Sequence, residues 1–442
     1  MTLTLETILA KLPIGKLSET IEAHVLPLTR LLPDKRLGVV IQFILLGILG
    51  GQMPVITGMA RTNSKANGES WPVAKRIYRF MCNQCVQTES LYQGLYQIGQ
   101  QVVERENPAY LVVAVDPVNF EKPYAEAIEG VSVVHKATPP ALDGKARLAH
   151  GYPAITASVV NTQVPVTTYA NWFSYVTPDF ISQNREIEQP FESTGQLYPH
   201  RRLRFVGDSG LDDQKMFAKV SELKQEFIFR ASHLERIVEV YNDRLHRWET
   251  EALQDLVDTV PYQATFQVVF THAGQKHLDI IKLGWFKIRI PGKTQELWAW
   301  VADDQTILRQ LALITNVPLE TVQIVQQVYE DWRLRSHIEH GYRFDQEQGL
   351  DVENMRVRTV DRMRRLFALV LLAAQIVFVV ADQWPSKAVL WLRQLGGKLG
   401  LSSDRDGPYW LLQGISAVIV TAMTLSFLAL HPFPGPASLG GG

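Results

Sequence analysis

The run YLVVAV at Tyr110–Val115 is closed by Asp116, and LRFVG at Leu203–Gly207 is closed in the same way by Asp208. Runs this short, β-branched and bounded by polar segments, match strands covered on both faces better than buried helices. A strand covered on both faces needs packed layers above and below it, which places the chain in the α/β class. In open sheets of that class ligands gather beyond the carboxyl ends of the strands, where these two acids stand.

The rest of the 442 residues fits this frame. The length allows two or three domains. Charged residues at 20% and a formal net charge of −1 exclude a histone-like polycation but leave room for local basic patches. Cys82 and Cys85 are the only cysteines. With no second pair a structural zinc site is short of ligands, so the spacing of three is read as two helix positions beside ordinary core residues. Few cysteines also suit a reducing compartment. The N-terminus MTLTLETILAKLPIGK lacks the basic start and apolar core of a signal peptide.

Three apolar stretches bear on membrane insertion. Leu37–Ala60 is uncharged but broken by Gly50-Gly51 and Pro54. Leu366–Ala381 falls short of the roughly 20 residues a span needs. Tyr409–Leu430 is long enough but carries Gln413, Ser416, Thr421, Thr424 and Ser426. Buried helices are expected for the first two. The third is read as a core or interface helix, with a membrane span as its alternative.

In chain order, residues 1–105 read as helical. Within them Lys75, Arg76 and Arg79 cluster within about a turn of a helix opening at Ser70-Trp71-Pro72. That pattern fits a DNA-contacting helix and a solvated charged face alike. Strands follow: YLVVAV, AITASVVN and VPVTTYANWF, the last two joined around Thr162-Gln163. Next come a helix (PDFISQNREIEQPFESTGQ), strand Leu203–Gly207, helix DDQKMFAKVSELK and strand EFIFRAS, ending near Arg230. Residues 232–310 alternate like strands of a β-rich insertion. Pro318–Gln348 reads as one long helix, followed by a basic opening and the apolar helix RMRRLFALVLLAAQIVFVV.

On that long helix Trp332, Arg335, Glu339, Tyr342 and Gln346 are spaced 3, 4, 3 and 4, which places them on one face. A face that normally carries apolar residues here carries a carboxylate, a guanidinium and an amide. Two strand-end aspartates and a helix glutamate are the ligand set of a two-metal phosphoryl-transfer site. Hard divalent ions prefer carboxylate oxygens, and Mg²⁺ or Mn²⁺ keeps positions open for water and substrate. Two ions about 3.5–4 Å apart stabilise the attacking and leaving oxygens of an in-line displacement. Asp116 is expected to bridge both, with Asp208 and Glu339 each completing one.

These residues resemble the DDE transposases of bacterial insertion sequences, in the branch with a Tyr-x2-Arg-x3-Glu-x6-Lys signature, the insertion-sequence-four family. The matching positions are Trp332-x2-Arg335-x3-Glu339-x6-Gln346, with VAVDPVNF and VGDSGLDD resembling the two Asp strands. Trp332 stands where the family has Tyr, and Gln346 where it has Lys. The family's Tyr, Arg and Lys hold DNA phosphates, so Gln346 implies one charge fewer on the backbone, which Arg343 is placed to supply.

The resemblance implies a ribonuclease-H-like catalytic core with a β-rich insertion between the second Asp and the Glu, flanked by helical N- and C-terminal regions. The expected divisions are a DNA-binding region at 1–105, core at 106–231, insertion at 232–310, core with the Glu helix at 311–383, and a helical region and tail at 384–442. It further implies two Mg²⁺ or Mn²⁺ ions, binding to double-stranded terminal inverted repeats and target DNA as a homodimer, and a bacterial cytoplasmic, nucleoid location without membrane. Arg230 resembles a basic position near the family's site. Arg356 and Arg358, with Arg362, Arg364 and Arg365, form the densest basic run, and its proximity to Glu339 favours DNA contact over a solvated face. Trp285, Trp298 and Trp300 are stacking candidates for a flipped base, although packing of the insertion is the favoured reading. The alternative to an active enzyme is a decayed or domesticated transposase acting as a DNA-binding regulator.

Overall fold

The computed structural model describes residues 11–64, 69–122, 127–136, 147–242, 244–272, 275–304, 309–337, 349–398 and 407–431. The chain opens with helices α1 (Ile14–Leu31), α2 (Arg36–Gly51), α3 (Ile56–Ser64), α4 (Ser70–Met81) and α5 (Thr88–Glu106). Leu17, Ile21, Val25 and Leu28 on α1, and Leu91, Leu95, Ile98 and Val102 on α5, are buried at helical spacing. Asn107, in the left-handed conformation with φ 43°, stops α5 and turns the chain into the sheet.

Strands β1 (Leu111–Glu121), β2 (Ser132–His135), β3 (Leu148–Val159) and β4 (Val166–Trp172) come next. Helix α6 (Gln183–Leu197) follows, capped by Ser182, whose hydroxyl accepts from Arg185 N at 3.2 Å. After it come β5 (Leu203–Gly207), α7 (Gln214–Glu222) and β6 (Glu226–Arg230). Then follow β7 (Ile237–Asn242), β8 (Arg247–Ala252), α8 (Leu253–Thr259), β9 (Ala264–His272), β10 (Gln275–Arg289), β11 (Leu297–Asp304) and β12 (Arg309–Thr315). Four helices close the chain: α9 (Val322–Arg333), α10 (Val360–Gln383), α11 (Ser386–Leu395) and α12 (Pro408–Leu430).

The architecture is mixed α/β around one mixed sheet. Its order is β2-β3-β1-β5-β6-β12-β11-β10-β7-β8, with β4 also on β3 and β9 also on β10. β1 pairs antiparallel with β3 and parallel with β5, and β5 pairs parallel with β6. Side-chain alternation splits the middle of the sheet between two cores. Leu111, Val113, Val115, Leu203 and Phe205 face one, with Phe191 of α6 and Phe217 of α7. Val112, Ala114 and Val206 face the other, with Val325, Val328 and Tyr329 of α9.

A third core joins both ends of the chain: α1, α2, α4 and α5 bury their apolar faces together with α10 and the first half of α12. It meets the sheet through Trp172, stacked on Phe120 at 4.4 Å and edge-on to Phe367 at 5.5 Å. α10 and α12 are long and apolar enough to cross a membrane by length and composition. Inside the protein, 78% of the apolar stretch of α10 is buried but only 39% of that of α12.

Several expectations need correction. The long helix read over Pro318–Gln348 starts at Val322 and is broken after Arg333; Ser336 and His337 are helical again, and the rest of that reading lies outside the described residues. Leu334 N–H turns back to the carbonyls of Glu330 and Asp331, tightening the last turn, and Ser336 Oγ donates to the freed Arg333 O at 3.0 Å. Trp332 and Arg335 therefore do not share one uninterrupted helix with later residues. The helix read from Pro178 begins only at Gln183, where Ser182 caps it. β2, β7 and β8 fall in stretches read as loop or undivided insertion. Cys82 and Cys85 are exposed rather than core, because α4 ends at Met81 and the cysteines fall in the following turn.

Candidate functional site where β5 ends beside β1

The parallel register pairs Leu111 with Leu203 and runs to Val115 with Gly207. The next residue on each strand is an aspartate. Asp116, in the middle of β1, and Asp208, just past the end of β5, therefore stand at the same level where the parallel pairing stops, their backbones about 5 Å apart. The expectation that Asp116 closes its strand is corrected, because β1 runs on to Glu121 in its antiparallel ladder with β3. Alternation turns both to the α9 side, the side of Val112, Ala114 and Val206. Asp116 is half-buried and sits opposite Thr156 of β3. Asp208 has extended backbone and opens the short 3-10 turn Ser209–Leu211.

α9 crosses the sheet on that side. It starts at Thr321, whose hydroxyl accepts from Ile324 N at 3.3 Å. Tyr329 packs edge-on against Trp300 at 5.7 Å and Phe266 at 5.4 Å. Its end meets Arg204 and Tyr110, and beyond it His337 Nδ1 lies 3.3 Å from Val160 O at the end of β3. From this helix end Trp332 Nε1 donates to Gly207 O at 3.2 Å. Arg335 Nη1 lies 3.9 Å from Asp208 Oδ2, with its guanidinium 5.6 Å from the Trp332 ring. Arg230, at the end of β6, brings Nη1 to 3.4 Å from Asp208 Oδ1. Asp208 thus stands between two guanidinium groups at long range, its side chain 35% exposed.

Asp212, four residues on, has a different environment. Its side chain is 1% exposed and ion-paired to Arg236 at 2.7 Å, and it accepts from Ser232 N at 2.7 Å and His233 N at 2.9 Å. These bonds hold the turn that follows Arg230 against the turn that follows Asp208 and so set where Arg230 points.

The expected site residues separate into groups. Asp116, Asp208, Arg230, Trp332 and Arg335 come together where β5 ends beside β1. The indole N–H of Trp332 is directed to the sheet backbone, so only its ring is left to face a ligand. Glu339, Arg343 and Gln346 lie outside the described residues. Lys75, Arg76 and Arg79 are exposed on α4 beside Trp71, itself 58% exposed with Lys75 Nζ 5.6 Å from its ring. Arg356 and Arg358 are exposed in the segment before α10.

Arg365, read with that basic run, is a correction. It is buried, donates to Met81 O, Asn83 O and Thr88 Oγ1, and pairs with Asp361 at 2.9 Å. Arg364 likewise turns inward, donating to Trp172 O at 2.6 Å. Trp300 is fully buried and bears out the packing reading for that tryptophan. Trp285 and Trp298 are partly buried on the same side.

Sequence reasoning passed over two charges. Arg204 interrupts an apolar strand, a position where a charge needs a buried partner, and it finds Asp331 and Glu226. Lys122, six residues beyond Asp116, is buried and donates to the carbonyls of Val352, Glu353 and Met355. Burial pushes its ammonium down to about 8 against the pull of Glu353 and Asp351. It ties the segment that leads into α10 back to β1.

Among the described residues no group of three His, Cys, Asp or Glu is placed to hold a metal ion. The two carboxylates on one side of the sheet at the end of β5 are hard oxygen donors, and a Mg²⁺ ion held by one or two carboxylates while keeping several waters fits that donor set. No protein-family model and no curated protein matches the chain.

Proposed function

We propose that the protein is a DDE-type DNA transposase that binds terminal inverted repeats and carries out metal-dependent strand cleavage and strand transfer. The observation that carries the reading is the pair Asp116 and Asp208, level on neighbouring parallel strands and facing the helix end that bears Trp332 and Arg335. The strand order β4-β3-β1-β5-β6, three antiparallel strands followed by two helix-linked parallel ones, agrees with a ribonuclease-H-like core. β7 to β11 come between Asp208 and α9, where the resembled family carries its insertion.

On this reading Asp116, Asp208 and Glu339 would hold two Mg²⁺ or Mn²⁺ ions. When bound, the ions supply Lewis acidity and lower the pKa of a bound water or hydroxyl for attack at phosphorus. Arg335 and Arg230 would hold the phosphate next to the scissile bond, moving off Asp208 as the carboxylate takes up metal. Arg343 and Gln346 would contact the same backbone stretch. Arg356, Arg358 and the α4 residues Lys75, Arg76 and Arg79 would bind phosphates further along the duplex. The partners are the repeat ends and target DNA, held by a homodimer in the bacterial cytoplasm, with the helical region 1–105 contributing DNA contacts.

The ion pairs on Asp208 favour one second reading, a DNA-binding regulator in which arginines permanently neutralise the second acid. Nicking assays on DNA flanking the protein's own gene separate the two. The enzyme should cut in Mg²⁺, and Asp116→Asn, Asp208→Asn or Glu339→Gln should each abolish cutting while leaving end binding intact. Binding without cleavage by the wild type supports the regulator, and cleavage retained by one variant removes that acid from the site.

A further inference from the structure

At the opposite end of the same strands lies a charged cluster that the proposed chemistry does not use. Arg204 stands on β5 four residues before Asp208 and faces the same side. Its side chain and that of Asp331 are each 4% exposed and form an ion pair. Asp331 also accepts from Tyr110 Oη at 2.9 Å and from Gln327 Nε2 at 3.0 Å. Arg204 Nε donates to Glu226 at 2.8 Å, and its guanidinium lies 4.7 Å over the Tyr110 ring. Burial, reinforced by the charge of Asp331, pushes the Tyr110 hydroxyl up to about 12, so it remains a donor through the neutral range.

Holding a helix on a sheet does not require this. A buried ion pair loses about as much on desolvation as it regains, and apolar side chains of the same volume often hold as well or better. Charges with fixed hydrogen-bond directions add register. A slip of one residue would rotate α9 by about 100° and shift it about 1.5 Å along its axis, breaking the bonds from Asp331 to Tyr110 and Arg204 together. Trp332 follows Asp331 directly and Arg335 comes one turn later, and these two side chains reach Gly207 and Asp208.

We propose that Asp331 is a positioning residue that locks the register of α9 so that Trp332 and Arg335 meet the end of β5. Its consequence for cleavage rests on the transposase reading, whereas its consequence for the α9 end does not. Arg204 is its fixed counterpart on the strand that carries Asp208.

The test uses the full chain with Asp331→Asn and the apolar pair Arg204→Met/Asp331→Leu. In Asp331→Asn, amide exchange over residues 332–337 and 208–211 should speed up at least tenfold while 322–329 stay protected, and Mg²⁺-dependent cleavage should fall at least tenfold with end binding unchanged. The apolar pair should melt at or above the wild-type temperature yet show the same local exchange and the same loss of cleavage. If the apolar pair instead restores wild-type exchange and cleavage, the cluster only stabilises the fold and the positioning role is overturned. Unchanged exchange at 332–337 in both variants overturns it as well. A wild type that cuts no DNA, with the exchange pattern as expected, removes the transposase reading and leaves the positioning role supported.

Discussion

The two ends of the β1–β5 pair handle charge in opposite ways. At the beginning, Arg204 and Asp331 are almost wholly covered, and Tyr110, Gln327 and Glu226 complete a set of short bonds. At the other end Asp208 is about one-third exposed, and its arginines stand off at 3.4 and 3.9 Å. One pair of strands thus uses ionisable groups as fixed joints below and leaves them loosely held above. Loose ion pairs at an open edge exchange partners at little cost, while buried ones do not.

The largest test of this contrast is Asp331→Ala. Leaving buried Arg204 with only half of its charge partners, the partly exposed Glu226, should cost about 3–5 kcal/mol in urea denaturation, and a loss below about 1 kcal/mol would put both ends on the same footing.

Lys122 should come next and carries a pH signature. Its folded pKa lies below its unfolded value, so above pH 8 the unfolded chain binds the proton more tightly and the folded state gains stability as pH rises. Relative to Lys122→Gln, the wild type should gain up to about 1.4 kcal/mol per pH unit between pH 8 and the unfolded value near 10.5, read from denaturation midpoints at pH 7.5 and 9.5. A flat difference would show that Lys122 carries no burial penalty.

Asp208→Asn, at the loose end, should change stability by no more than about 1 kcal/mol, although on the transposase reading it should abolish cleavage. A larger loss would mean that Asp208 is a joint rather than a ligand. The smallest effect is expected outside the sheet. Changing Lys75, Arg76 or Arg358 singly to Gln should each lower the salt slope of DNA binding by about 0.9, and an unchanged slope would make that residue part of a solvated face.

Residues whose local pattern already specified their surroundings were readable in advance. YLVVAV and LRFVG are strands because no other element uses so few apolar residues so densely, and the acids after them fall at one level, although β1 runs on past Asp116 to Glu121. The helices of the N-terminal region were equally legible from the spacing of Leu17, Ile21 and Val25 or of Leu91, Leu95 and Ile98. What escaped depends on partners far along the chain. Periodicity carried the α9 pattern past Arg333, because nothing in the segment itself shows that its last turn tightens. Arg365 looked like part of a basic run because its acceptors, Met81 and Asn83, lie at the end of another helix. β7 and β8 have mixed polarity because much of their surface is exposed, which weakens the alternation that reveals a strand.

The core shared by the first helices and α10 has a consequence for synthesis. α2 and α5 leave the ribosome long before their covering helix exists, and at about 5–20 residues per second they wait for tens of seconds with oily flanks uncovered. A message broken in the middle of the gene therefore yields an amino-terminal piece whose helices lack the apolar surface that covers them in the full chain.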